Sequence, residues 1–321
     1  MIRIGVAGAG HLGRFHIQQL KEIPIFSLTG FYDPSPEVRK NITSEFSIPH
    51  FDSLQELLDA NDAVDIVTPT KYHFETAAQA LRQSKHVFLE KPITQSIKEG
   101  KELLALAREA QVKVQVGHVE RFNPAFVALD GYELNPMFIE SHRLSTWSPR
   151  GTDVSVILDL MIHDLDLIHK IVKSPLKRLS ASGVAVISET PDIANVRLEF
   201  ANGCVANLTA SRISLKKMRK MRLFQKNAYV TIDFLDKHTE VLSFENEGDE
   251  INPDKLKFVF DTGSFRKNLI FETPEIKPAN AIKEELNAFG MSILENKPVT
   301  VSLEDGYLAL ETACKILDKI K

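Results

Sequence analysis

The chain has 321 residues, 43% of them hydrophobic and 26% charged, and because a single core stops growing near ~250–300 residues this length favours two domains. Its 39 Lys+Arg against 43 Asp+Glu give a net charge of −4, and residues 1–120 and 121–321 each contribute −2. Neither part is a basic module built to neutralise a phosphate backbone, which argues against nucleic acid as a partner.

Strand-like and helix-like stretches alternate along the first 120 residues. Ile2–Ala7 reads as a strand, His11–Glu22 as a helix, Phe26–Tyr32 as a strand ending at Asp33, and Pro36–Phe46 as a second helix. Ser53-Leu54-Gln55-Glu56 is a capping box opening a helix to Ala60, and Ser96-Ile97-Lys98-Glu99 opens another to Ala110. Between and after them, Val64–Thr68, His86–Glu90 and Val112–Val116 read as strands, with a helix over Phe74–Gln83. The β-branched run at Val64–Thr68 suits a strand buried on both faces. This βαβα rhythm specifies a parallel, doubly wound α/β sheet.

Beyond about residue 121 the pattern changes. A helix over Val154–Val172 precedes a β-rich stretch from Leu179 to about Phe271, with a hairpin turn at Ala201-Asn202-Gly203. Helices over Ala281–Glu295 and after Ser302-Leu303-Glu304-Asp305 close the chain. The expected division is a nucleotide-binding domain over 1–122 and an α+β domain over 123–321, mostly antiparallel, with its last helices free to pack back on the first domain. Cys204 and Cys314 stand 110 positions apart with no CxxC, which favours a reducing compartment and disfavours a structural zinc site. No apolar run approaches the ~18–20 residues of a membrane span, and Ile2–Ala7 reads as a strand rather than a leader. A cytoplasmic protein with no membrane partner is expected.

Gly8-Ala9-Gly10-His11-Leu12-Gly13 is GxGxxG between a strand and a helix, the context in which that motif cradles a dinucleotide pyrophosphate. Asp33 lies 20 residues past Gly13 at a strand end. A carboxylate there accepts hydrogen bonds from adenosine ribose hydroxyls and repels a 2′-phosphate, so NAD is expected over NADP. Glu90-Lys91-Pro92 follows a strand whose carboxyl end belongs on the ligand edge of such a sheet; a partly desolvated lysine there suits proton transfer or substrate orientation, though alone it reads more readily as a solvated lysine and needs support from elsewhere in the sequence. Asp159, His163 and Asp166 fall at helical spacings that share one face. Leu158, Leu160, Met161, Ile162 and Leu165 cover most of the remainder, so the helix should be buried and its polar face should either satisfy itself or line a polar cavity. Three acids and one histidine there also leave a divalent cation as an alternative, although no metal is expected.

Taken together, these residues resemble the Gfo/Idh/MocA oxidoreductases over essentially the whole chain. The resemblance rests on GAGHLGRFH at 8–16, Thr68-Pro69 followed by His73, Glu90-Lys91-Pro92, Asp159 with His163, and Pro-Val-Thr-Val-Ser-Leu-Glu-Asp-Gly at 298–306. It implies a Rossmann domain followed by an α+β domain with an open mixed sheet that often forms the oligomer interface, here a homodimer or homotetramer. It also implies Lys91, Asp159 and His163 as the catalytic set. Gly8, Gly10, His11, Leu12, Gly13, Asp33, Thr68, Pro69, His73, Glu90 and Lys91 would be the NAD-contacting positions. Two departures stand out: Met161 occupies the position of a glycine common in the family, and Gly151 alone precedes the helix where a glycine run is usual.

The stretch 116–124 and the sequence around His163 resemble the branch acting on nucleotide sugars. This implies hydride transfer between a secondary hydroxyl of a UDP-sugar, such as C3 of UDP-N-acetylglucosamine, and nicotinamide. The alternatives are a free monosaccharide or myo-inositol dehydrogenase and a non-catalytic NAD-binding regulator. For the substrate, Arg121, Asn123, Arg150 and Asp166 are candidate ligands, and Arg143 is a further candidate for clamping a diphosphate. The basic segment Lys216–Arg222 reads as an edge or outward strand face.

Overall fold

The structure, a computed structural model, describes residues 1–147, 154–246, 256–261, 263 and 266–320. It divides into two compact units, residues 1–122 with 279–314, and residues 123–278 with 315–320. The closing segment is therefore split, with 279–314 belonging to the first unit.

In the first unit, β1 (Ile2–Ala7), β2 (Phe26–Tyr32), β3 (Ala63–Ile66), β4 (His86–Glu90) and β5 (Val114–Gly117) form a parallel sheet in the order β2-β1-β3-β4-β5. The chain leaves β1 toward opposite sides of the sheet, so the carboxyl ends of β1 and β3 flank a topological switch point, the place where doubly wound sheets bind ligands. The crossovers include α1 (His11–Leu20), α2 (Pro36–Phe46), α3 (Leu54–Ala60), α4 (His73–Arg82) and α5 (Ile97–Ala110). Both capping boxes of the sequence act as such in part or in full. Ser53 accepts from the Glu56 N–H, and Ser96 and Glu99 cap each other reciprocally. After the second unit the chain returns as α8 (Ala281–Leu294), whose Phe289 packs against Phe26 and Phe88 in the sheet core.

The second unit contains α6 (Pro124–Val127), α7 (Ile162–Val172) and a nine-stranded sheet. Its strands are β6 (Phe138–Leu144), β7 (Leu176–Val184), β8 (Ile193–Phe200), β9 (Val205–Ser211), β10 (Met218–Gln225), β11 (Ala228–Asp233), β12 (His238–Asn246), β13 (Leu256–Asp261) and β14 (Arg266–Glu272). They run in the order β13-β14-β12-β11-β10-β6-β9-β8-β7, antiparallel throughout except for β6 with β9. Asn202-Gly203 makes the β8–β9 turn, with Gly203 at φ +89°. The basic segment is not an edge: β10 lies between β6 and β11, with Arg219 and Arg222 exposed while Met221 and Leu223 are buried. Cross-strand acids match it, Arg222 to Glu140 at 3.1 Å and Lys220 to Asp233 at 3.0 Å. The last helix, α9, spans Leu303–Ile320.

Candidate active site

The glycine loop is built by close approach. Gly8 has φ +93°, and a Cβ there would lie 2.7 Å from the Thr68 nitrogen. A Cβ on Gly13 would collide with the Gly8 carbonyl, so α1 rests directly on the turn. Gly10 is different: a Cβ there meets nothing within 4 Å, leaving open space in front of the α1 N-terminus where a pyrophosphate fits. Alongside lies a depression of about 300 Å³ lined by Ala9, Gly10, His11, Arg14, Val38 and Asn41 among others. Asp33 accepts from the Ala9 N–H (2.9 Å) and the Ser35 N–H (2.9 Å), which fixes its carboxylate beside the loop. Asp33→Asn keeps one of these two acceptors, turns the other into an amide donor, and removes the charge that repels a 2′-phosphate. The variant is expected to narrow the preference for NAD over NADP by about tenfold or more, read by titration calorimetry with each nucleotide.

The Thr68, His73 and Pro92 region is tied together by one side chain. His73 is buried, with Nδ1 at 2.8 Å from the Pro92 carbonyl and Nε2 at 2.8 Å from that of Thr68. Burial lowers its pKa despite these two carbonyls. Both ring nitrogens face backbone carbonyls, so a single N–H of His73 ties together the ends of two neighbouring strands at the position that the resemblance assigns to the cofactor. Glu90 is likewise turned inward: it is 6% exposed, and its Oε2 accepts the Lys91 N–H at 3.1 Å. Lys91 itself is half-buried at the carboxyl end of β4.

In the second unit, Asp159 and His163 are half-buried and Asp166 is buried. The segment is not one continuous α-helix. Ile157–Met161 forms a π-helical turn, in which the Ile162 N–H reaches the Ile157 carbonyl, and regular α-helix begins at Ile162. The wider turn separates Asp159 from the 3.6-residue register used to place it on the His163 face, and such turns concentrate at functional sites. Arg143 on β6 grips Asp164, the neighbour of His163, through Nε (3.0 and 3.1 Å) and Nη2 (2.7 Å), with both side chains 3% exposed. Arg143 is therefore a structural ion-pair partner and not a free diphosphate clamp.

Two further substrate candidates are also engaged in the fold. Arg121, with its side chain 4% exposed, faces Asp305 at 3.3 Å, and that guanidinium helps hold the Asp305 carboxyl below the usual range. Asn123 accepts the Ala125 N–H at the start of α6 and donates to the Phe234 carbonyl. Arg150 and Gly151 lie outside the described residues.

Sequence reasoning missed a group of buried ionisable residues behind Glu90: His16, Asp65 and Glu285, each 0% exposed. The signals were a histidine on the inward face of α1 and a lone acid inside the Val64–Thr68 run.

A parallel sheet with a glycine loop at its switch point and an acid at the end of β2 defines a dinucleotide-binding protein. Residues 2–118 match the oxidoreductase family with NAD-binding Rossmann fold, GFO_IDH_MocA, and residues 134–230 match the GFO/IDH/MocA C-terminal domain. A UDP-N-acetylglucosamine 3-dehydrogenase from Acidithiobacillus ferrooxidans is 38% identical over 237 residues, covering 73% of this chain and 75% of that one. A solved structure of that enzyme superposes with a TM-score of 0.89 at 32% identity, covering 99% and 97%. A myo-inositol 2-dehydrogenase from Thermotoga maritima is 25% identical over 328 residues, covering 96% and 93%. The chain belongs to the Gfo/Idh/MocA family of NAD-dependent oxidoreductases. No helix among the described residues is long and apolar enough to cross a membrane.

Proposed function

We propose that the enzyme oxidises the C3 hydroxyl of UDP-N-acetylglucosamine to the ketone. The similarity to the Acidithiobacillus ferrooxidans 3-dehydrogenase over nearly the whole structure carries this reading, since Lys91, Asp159 and His163 are all present in this chain. Bound NAD supplies the hydride acceptor. In this reading an imidazole nitrogen of His163 takes the hydroxyl proton, and the Lys91 ammonium donates a hydrogen bond to the same oxygen as negative charge develops there. Asp159 orients His163 or a neighbouring hydroxyl. Gly8, Gly10, Gly13 and Asp33 hold the dinucleotide, and Arg150 and Asp166 serve the nucleotide sugar.

The competing reading, a free-sugar or inositol dehydrogenase, is favoured by the full-length match to the Thermotoga maritima enzyme. A panel of UDP-N-acetylglucosamine, free glucose and myo-inositol separates the two: NADH should form fastest with the UDP-sugar, and a preference for myo-inositol would replace this proposal with its rival. EDTA should leave the rate unchanged, because no role here falls to a metal. We also place the enzyme in the cytoplasm, in keeping with its sparse cysteines. The outward face of β10, where Met218 and Phe224 are exposed, supports a homodimer or homotetramer formed through the second sheet, which sedimentation equilibrium would measure.

A further inference from the structure

His16 on α1, Asp65 on β3, Glu90 on β4 and Glu285 on α8 meet inside the first unit. His16 Nδ1 lies 3.0 Å from Asp65 Oδ2, and its Nε2 lies 3.4 Å from Glu90 Oε1. One ligand atom each from His16, Glu90 and Glu285 falls within 4.8 Å of the others, and neither Glu285 carboxyl oxygen has a hydrogen-bond partner. Phe88 packs its ring against His16 and against Phe289. On β5, Gly117 admits the Glu90 carboxylate where any Cβ would collide with it, and Gln115 donates to the Glu285 backbone carbonyl. Among the described residues, Lys91, next in the chain to Glu90, and the buried His73 also bear on the cluster.

Three carboxylates around a neutral imidazole would bury three negative charges in a dry core, which is prohibitive. Protons must be retained. Burial opposes a charged His16, but Asp65 and Glu90 outweigh it and hold the imidazolium well above the usual histidine range. Burial, reinforced by the Glu90 charge, raises Glu285 far above the carboxylate range and keeps it neutral. Burial also works against ionised Glu90, but His16 and Lys91 prevail and hold its pKa down. Burial raises Asp65 as well, with His16 opposing it, and the Glu90 carboxylate lies next to Lys91.

We propose that His16, Asp65 and Glu285 are positioning residues which, with Glu90, form a buried proton-sharing cluster that fixes the Glu90 carboxylate against the Lys91 backbone and so sets the placement and charge of Lys91 for the reaction. This rests on the role given to Lys91 above, so the test has a substrate-free arm and a turnover arm.

In the first arm, the full chain labelled with ¹⁵N-histidine is followed by NMR from about pH 6 to about pH 9, across the ordinary histidine range near ~6.5. His16, assigned by the signal lost in His16→Gln, should remain an imidazolium after exposed histidines have titrated, and Asp65→Asn should abolish this. Glu285→Gln, a neutral isostere, should keep His16 charged. The raised pKa of Glu285 contributes stability that is present below its unfolded value near ~4.5 and is lost as pH rises through the folded one, so Glu285→Gln should flatten the fall of Tm with rising pH. A neutral His16 at pH ~7, an unchanged Tm slope, or a Tm raised by Zn²⁺ and lowered by EDTA would overturn the proposal, the last by making a cation the occupant.

In the second arm, with NAD and UDP-N-acetylglucosamine, His16→Gln should move the acid limb of kcat upward by about 1–3 pH units with KM for NAD unchanged. A uniform loss of kcat with an unshifted profile would reduce the cluster to a structural role and overturn it. If the wild type does not turn over this substrate, the function proposal fails and the NMR arm still decides the cluster.

Discussion

Lys91→Ala and His163→Ala should each lower kcat by about 10²–10⁴-fold, the range expected when a positioned proton-transfer or charge-stabilising group is removed, while the Kd for NAD stays near its wild-type value. The separation follows from position. The glycine loop and Asp33 bind the dinucleotide at the ends of β1 and β2, whereas Lys91 follows β4 and His163 lies on α7 in the other unit. The double variant should lose little more than the worse single one, since groups that act on one proton transfer are not additive. Rapid-mixing kinetics and a separate NAD titration check both statements. Near-normal turnover in either variant would remove that residue from the reaction.

Arg143→Ala should destabilise the protein by about 3–5 kcal/mol, because it strands the Asp164 carboxylate in a site from which water is excluded. The guanidinium makes three contacts of 2.7 to 3.1 Å to that carboxylate, and both side chains are 3% exposed. Since Asp164 follows His163 in the chain, kcat should also fall at temperatures where the variant remains folded. Replacing both partners together, Arg143→Met with Asp164→Leu, should recover much of the stability but not the activity, because two apolar groups leave no buried charge. Urea denaturation measures the first effect. Recovery of neither stability nor fold in the double variant would show that the pair is required for more than mutual neutralisation.

The first unit was legible because its signals are local. Strand runs, capping serines and the glycine turn each specify their own geometry, and Asp33 falls where the second strand ends. The second unit hides its centre. β6 has the sequence Phe-Ile-Glu-Ser-His-Arg-Leu and buries Ser141 and Arg143 beside Ile139, so its inward face does not read as apolar. The π-helical turn at Ile157–Met161 was also invisible, because an apolar run with acids at helical spacing fits an α-helix equally well. The His16 cluster was missed for a third reason: its members lie on four elements, from residue 16 to residue 285, and only the fold reveals that they meet. Arg121 and Asn123 show the converse difficulty. Polar residues in a motif-like stretch invited a substrate role, but the structure engages them with Asp305 and Phe234.

The most direct test is isotopic. UDP-N-acetylglucosamine deuterated at C3, incubated with the enzyme and NAD, should give deuterated NADH and a 3-keto product, with the rate lowered by the label. The same sugar deuterated at C4 should give unlabelled NADH at the normal rate. Retention of the C3 deuterium, or transfer from another carbon, would contradict C3 oxidation of this nucleotide sugar.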